Sequence, residues 1–378
     1  MSTSRPIVLA YIACWAELEA KQIAAEHLTH VNYAFACIHD GLVLNFMAAN
    51  FDRLSAGDPA LAALGYHAAC AKEDARLMLI RSLKAAHPHL RALISIGGWA
   101  AEGFSDAALT TDSRERFADS AVAFMLQHGF DGIDLDWEYP GSTLAGIRAR
   151  PEDRENFTEL LRVLRHKLDA RSALDGRGDR ARYLLSIATG AAPAHLAGVD
   201  ISAVAPLLDF IGLMTYDLYN GWSTCAGHHA NLFCSALDPA GDSAAKAVQL
   251  FLEAGAPASK LLVGAAFYGR GMSGVGTESN GLMQPSTVGS NFTRTYDELL
   301  NALQGSTQWT RHWDEQAQAP FLYDGASFIS YDDEESLRSK ARYVREQGLG
   351  GAMFWEYSNN RSGELLRALA AALLEDSR

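Results

Sequence analysis

Three acidic residues spaced two apart, Asp134, Asp136 and Glu138, stand in the run Asp131-Gly-Ile-Asp-Leu-Asp-Trp-Glu-Tyr-Pro140. Side chains alternate along a strand, so these carboxylates share one face while Ile133, Leu135 and Trp137 share the other. The large apolar groups belong against covering helices, which turns the acids inward. With Cα atoms only about 6.6 Å apart, the three cannot all ionise freely. At least one pKa must rise toward neutrality, as a general acid requires. Glu138, at the C-terminal end of the strand, reads as the proton donor. Asp136 sits behind it, able to share a proton or turn toward a substrate. Asp131 has the opposite parity and is expected to cap or hydrogen-bond locally. The competing reading is a set of salt-bridged core acids or metal ligands. Buried unpaired acids are seldom kept for stability, however, and a magnesium site gathers acids from several strands. Neither a metal nor a cofactor is expected.

Positioning such a run takes a barrel or a sheet. Eight near-continuous apolar runs read as parallel strands buried on both faces: Ile7–Cys14, His30–Cys37, Arg91–Gly97, Gly132–Trp137, Tyr183–Thr189, Phe210–Tyr216, Leu261–Phe267 and Gly351–Trp355. Helical patterns lie between them at Glu17–His27, Ser113–Gln127, Glu152–Ala173, Ser243–Ala254, Glu334–Glu346 and Gly363–Leu374. The clearest, from Ser113, carries Asp112 and Glu115 as a capping pair and Gly129 as its stop. Eight strands alternating with helices predict an α/β fold, a (β/α)8 TIM barrel, rather than a doubly wound sheet. The whole chain, 1–378, is then one catalytic barrel domain. A plain barrel needs roughly 250 residues, leaving about 128 to place. The stretch Tyr268–Asp333 is too long for a structureless loop and reads as a small inserted α+β subdomain, 268–333, between strand 7 and helix 7. Much of the rest falls in the second connection, Ile38 to Leu90, and in the loop after strand six.

Composition narrows the function classes. The chain has 378 residues, 48% hydrophobic and 20% charged, as in a globular protein with ample core. Its 32 Lys and Arg against 45 Asp and Glu give −13, with no dense basic run to suggest nucleic acid. No apolar run is long enough for a membrane span. The start, Met1-Ser-Thr-Ser-Arg-Pro, lacks the features of a signal peptide. Five cysteines without a C-x-x-C pair exclude zinc-ribbon and redox motifs; whether Cys225 and Cys234 are bridged stays open. Gly269–Gly274 matches G-x-G-x-x-G after a strand, but no helical pattern follows, so a dinucleotide is not expected. Adjacent His228 and His229 point apart in extended chain and make a poor metal pair; packing or substrate contact suits them better.

The run at Asp131–Glu138 matches the D-x-x-D-x-D-x-E signature of glycoside hydrolase family 18, and the chain resembles that family along its length. Ser95-Ile-Gly-Gly-Trp99 closes the third strand and Met214-Thr-Tyr-Asp217 the sixth, followed by Tyr219-Asn-Gly-Trp222 and Gly227-His-His229. Tyr268-Gly-Arg270, Tyr331-Asp-Asp333 and Met353-Phe-Trp-Glu356 come in the expected order, and Tyr11–Trp15 and Asn32–Phe35 resemble the first two strands.

The resemblance implies a chitinase acting on chitin or chito-oligosaccharides as a monomer, with no nucleic-acid or membrane partner. An ordinary retaining glycosidase needs two carboxyls about 5–5.5 Å apart, flanking the sugar, whereas Asp136 and Glu138 lie on one strand. Family 18 enzymes use the substrate's own 2-acetamido oxygen as nucleophile. By resemblance Glu138 protonates the glycosidic oxygen and later activates water. Asp136 orients the acetamido group and stabilises the oxazolinium, and Asp134 holds a shared proton. Tyr216 donates to the acetamido oxygen, and Asp217 contacts the same region. Trp355 floors the cleaved sugar's site; Tyr11, Phe35, Trp99, Met214, Trp222, Tyr268 and Arg270 are further groove candidates, with Phe35 and Met214 the first to fall back to core. Trp309 and Trp313 line the groove wall or fill the subdomain core. Rival readings are Asp217 as a conventional nucleophile, an endo-β-N-acetylglucosaminidase or peptidoglycan-directed relative, and a non-catalytic chitin-binding lectin. Family members are usually exported, and this chain shows no export signal, so its location is left open.

Overall fold

In the computed structural model, residues 5–374 are described, apart from 288, 306 and 307. The strands are β1 (Ile7–Ala13), β2 (His30–His39), β3 (Leu42–Asn45), β4 (Arg91–Gly97), β5 (Gly132–Asp136), β6 (Leu184–Gly190), β7 (Phe210–Met214), β8 (Leu261–Ala266), β9 (Tyr268–Ser273), β10 (Phe292–Thr295), β11 (Thr310–Asp314), β12 (Ala319–Tyr323), β13 (Ser327–Ser330) and β14 (Gly351–Trp355). One sheet runs β1-β14-β8-β7-β6-β5-β4-β2, with β1 also pairing with β2, and β3 folds back antiparallel on β2. Eight parallel strands closed on themselves, with helices between them, are a (β/α)8 TIM barrel.

Contacts divide the chain into two compact units. One comprises Tyr11–Thr189 and Ala194–Ile211. Here the apolar face of β5 does what its alternation requires: Ile133 and Leu135 are fully buried, and Trp137 stacks on Phe104 at 5.2 Å with its edge to Phe157. The helix after β4 spans Thr111–His128 and starts earlier than Ser113. Its cap is Thr110, whose Oγ1 accepts the Ser113 N–H while Ser113 Oγ accepts the Thr110 N–H. The two hydroxyls satisfy both free donors, so Asp112 and Glu115 are not the capping pair. The segment Glu17–His27 is not an α-helix either, but two 3₁₀ turns, Ala20–Gln22 and Ala25–His27. Its only buried residues, Ile23 and Ala25, are two apart and make no helical stripe. The second connection holds β3 and helices over Phe46–Ser55, Pro59–Leu64 and Tyr66–Ala86.

The other unit comprises Met1–Ala10, Gly190–Pro193 and Gly212–Arg378. After β8 the chain enters an antiparallel sheet, β10-β9-β13-β12-β11, accompanied by a helix over Tyr296–Gly305. Met272, Val275, Leu282, Phe321, Tyr323 and Phe328 form the core of this sheet. Trp309 and Trp313 are half-buried and stand outside that cluster. The G-x-G-x-x-G segment lies in β9 and its turn, with antiparallel neighbours on both sides and no helix. The helix Glu334–Glu346 is capped by Asp333 and buries Lys340, whose Nζ lies 2.5 Å from Asp332 Oδ2. Asp332 also accepts the Ala266 N–H at the end of β8. No described helix is long and apolar enough to cross a membrane.

Candidate active site

Strand register builds a first cluster of candidate residues. Ser95 on β4 and Ser186 on β6 both stand opposite Asp134 on β5. Ser95 Oγ donates to Asp134 Oδ2 at 2.8 Å and Ser186 Oγ to Oδ1 at 2.6 Å; Tyr11 of β1 adds its hydroxyl at 3.0 Å. Asp134 is fully buried. Burial lifts its pKa, and the three hydroxyls only partly pull it back.

Asp136 has a different environment. It is 4% exposed, and its Oδ1 has no hydrogen-bond partner among the described residues. Burial, then the neighbouring Glu138 and then Asp134 push its carboxyl well above the usual range. Two buried acids thus differ in kind: both oxygens of Asp134 accept from hydroxyls, whereas Asp136 Oδ1 meets no donor among the described residues. Glu138, just past the strand end, is half-buried.

Gly97 and Gly98 make room for this arrangement. The Gly98 N–H donates to the Asp136 carbonyl at 2.8 Å, and a Cβ on Gly97 would lie 2.2 Å from that carbonyl oxygen. A Cβ on Gly98 would meet the Phe35 ring at 2.6 Å. Phe35 is therefore packed behind the turn and 7% exposed, while Trp99, next along, is 48% exposed. Tyr11 is 2% exposed, and its hydroxyl is committed to Asp134. Asp131 does not bond locally: it accepts the Ala92 N–H across the sheet and pairs with Lys84 at 2.7 Å and Arg177 at 3.4 Å. It lies at the start of β5, where barrels keep stabilising contacts.

A separate cluster is built around Asp217. This residue sits at φ +57°, an uncommon left-handed conformation for a non-glycine. Arg270 grips its carboxylate with two nitrogens, Nε to Oδ1 at 2.7 Å and Nη2 to Oδ2 at 2.6 Å. Tyr268 OH donates to Oδ1 at 2.7 Å. Burial alone would raise this carboxyl; the Arg270 guanidinium, bonded to both oxygens, reverses that and holds it well below the usual range. Tyr216 and Trp355, both half-buried, pack on Ala230, Ala266 and Tyr268. Tyr216 OH points at Met353 Sδ, 3.9 Å away. Met214 is half-buried, and Trp222 is 70% exposed.

The two histidines part as extended chain requires. His228 Nε2 lies 3.2 Å from Asp314 Oδ2, which also accepts from Ser235 Oγ at 2.6 Å. His229 turns toward Asp217. All five cysteines are free, Cys225 and Cys234 included. Among the described residues no His, Cys, Asp or Glu group could hold a metal.

Ser186 is the contributor that motif reasoning passed over, while Ser95 and His229 stood in motifs without the partners the structure gives them. The serines had a readable signal, a small hydroxyl interrupting an apolar strand at inward parity. His229 had none, because its partner is set by loop conformation.

Residues 7–360 match the family described as Glycosyl hydrolases family 18. Chitinase A1 of Niallia circulans is 42% identical over 315 residues, 78% of this chain and 44% of that protein. Among solved structures, chitinase ChiW of Paenibacillus sp. str. FPU-7 superposes with a TM-score of 0.89 at 42% identity, covering 97% of this chain and 43% of the other. A family 18 N-acetylglucosaminidase from Paenibacillus barengoltzii gives 0.84 at 39% identity, covering 97% of this chain and all of the other. The chain thus spans less than half the length of the first two relatives.

Proposed function

The chain belongs to family 18 of the glycosyl hydrolases, and from that premise we propose that it is a chitinase. It hydrolyses β-1,4 linkages between N-acetylglucosamine units with retention, the 2-acetamido oxygen of the substrate acting as nucleophile. Glu138 is the general acid and then the general base. Asp136 steers the acetamido group and balances the positive oxazolinium, and Asp134 holds the shared proton behind it. Tyr216 donates to the acetamido oxygen, and Asp217 contacts the same group. Trp355 stacks under the sugar, with Trp99 and Trp222 as exposed aromatic surfaces along the chain's path.

One contrast carries this reading. Asp217, the residue that could serve as a conventional nucleophile, has both oxygens engaged by Arg270 and Tyr268. Asp136, which the substrate-assisted route needs as an acetamido partner, is buried with an oxygen that no described donor reaches. Unmet hydrogen-bonding capacity is where a substrate N–H is expected to bind.

Turnover of N-acetylglucosamine oligomers, compared with fully deacetylated ones, tests the mechanism. Cleavage of the acetylated series alone, with β-anomer appearing first, is the expected result; equal turnover of both sinks it. Product lengths then separate endo-acting cleavage from release of single N-acetylglucosamine units. Glu138→Gln should lower kcat by about 10²–10⁴ while oligosaccharide binding persists. An unmodified protein that binds but never cleaves would instead be a lectin.

A further inference from the structure

His229 is fully buried, yet its ring serves no step of the mechanism above. Its Nδ1 accepts the backbone N–H of Asp217 at 3.4 Å. The same nitrogen is 3.6 Å from Asp217 Oδ1, too long for an ordinary N–H···O bond. Nε2, on the far side of the ring, has no partner among the described residues. A nitrogen that accepts cannot also carry the proton, so the proton resides on Nε2 and the ring is neutral. Burial acts in the same direction, pushing the imidazole toward its uncharged form against the opposing pull of Asp217 and Asp332. The other charged group facing it is Arg270, which also favours the neutral ring.

A buried N–H left unpaired at Nε2 forfeits its hydration without a hydrogen bond in return. An apolar side chain of similar shape would avoid that cost, so the histidine is poorly explained by packing on Tyr268 alone, 5.2 Å away. What an apolar group could not supply is the acceptor at Nδ1. Asp217 lies at φ +57°, and its backbone polar groups are secured from both sides: the N–H by His229 and the carbonyl by Asn220 Nδ2 at 3.1 Å. The backbone N of His229 donates in turn to Ser330 Oγ at the end of β13.

We propose that His229 is a positioning residue: its neutral Nδ1 accepts the Asp217 N–H and holds Asp217 in the turn that delivers its carboxylate to Arg270 and Tyr268. The inference rests on the reading in which Asp217 contacts the acetamido group. It adds a residue that acts only through Asp217, as an acceptor and not as a titrating group.

Nitrogen NMR of the histidine rings tests the proton directly, with the His229 signal identified by its loss in His229→Asn. Expected is an unprotonated Nδ1 and a protonated Nε2, unchanged from about pH 5 to 8, the range in which an ordinary histidine titrates. A ring protonated at Nδ1, or one that titrates in that range, overturns the proposal whatever the activity. Two substitutions test the role. Asparagine places an amide acceptor near the Nδ1 position, whereas leucine offers none. His229→Asn should stay within about threefold of the unmodified kcat, and His229→Leu should fall about tenfold or more with KM little changed. Equal loss in both variants, or none in either, also overturns it. Should Asp217→Asn prove fully active, the mechanistic reading fails, while the NMR result still decides the state of the ring. Should His229→Leu not fold, the ring measurement on the unmodified chain remains decisive.

Discussion

Arg270 and Asp217 form a two-pronged ion pair, Nε to Oδ1 and Nη2 to Oδ2, that fixes the carboxylate in one plane. Such forked geometry is specific to the guanidinium, and lysine cannot reproduce it. The pair also sets a sign. Asp217 titrates lower in the folded chain than its ordinary 3.8, so its contribution to stability is present above that value. It is lost as pH falls below about 4 toward the depressed value. Removing the charge with Asp217→Asn should therefore destabilise the protein at pH 7 and matter progressively less in acid. Urea midpoints of both proteins between pH 7 and pH 3 check this; a gap that stays constant across the range would show that the ion pair does not supply the stability.

Asp136 carries the opposite sign. Its folded pKa lies well above the ordinary 3.8, so ionisation works against the fold as pH rises past that value. Asp136→Asn removes the titration and keeps the shape. Its melting temperature relative to the unmodified chain should climb between pH 4 and pH 8, while hydrolysis falls by about two orders of magnitude or more. A stabilisation independent of pH would count against a proton-holding Asp136.

Gly97 is needed for space as well as for conformation. At φ +120° a side chain is strained, and its Cβ would sit 2.2 Å from the Asp136 carbonyl oxygen. Gly97→Ala should lose more than the roughly 1–2 kcal/mol of a left-handed alanine, and activity with it, because the end of β5 must move. Gly146→Ala is the control: φ is +76°, but nothing lies within 4 Å of the added carbon. It should show the conformational cost alone, with kcat unchanged. Denaturation curves and kcat for the two variants make the comparison, and matching losses would dismiss the steric argument.

The buried pair Lys340–Asp332 supports the end of β8 through the Ala266 N–H. Lys340→Met leaves a buried charge uncompensated and should cost about 3–5 kcal/mol. Adding Asp332→Asn should recover part of that, and a double-mutant cycle measures the coupling. Strict additivity would mean the two groups do not stabilise each other.

Much of this was legible in the chain itself. Arg91–Gly97 and Gly351–Trp355 are strands with the boundaries that their apolar runs suggest, because burial on both faces leaves little ambiguity. That Asp134 and Asp136 are buried was readable from parity alone. Segment 17–27 misled because a few charged and apolar residues mimic a helical stripe that tertiary packing never uses. The partner of Asp131 could not be read, since it bonds to a neighbouring strand 39 residues away. Nor could the grip of Arg270 on Asp217, which depends on a left-handed turn at a residue other than glycine.

Tyr268 and Arg270, two positions apart in β9, project to the same side and both end on Asp217. The first strand of the five-stranded sheet is thus also the clamp of a candidate catalytic acid, and its register is held by β10 on one edge and β13 on the other. For anyone recombining domains among these barrels, the safe splice points lie beyond Ser273. A graft cut at the tip of β8 would exchange the sheet and, with it, the grip on Asp217.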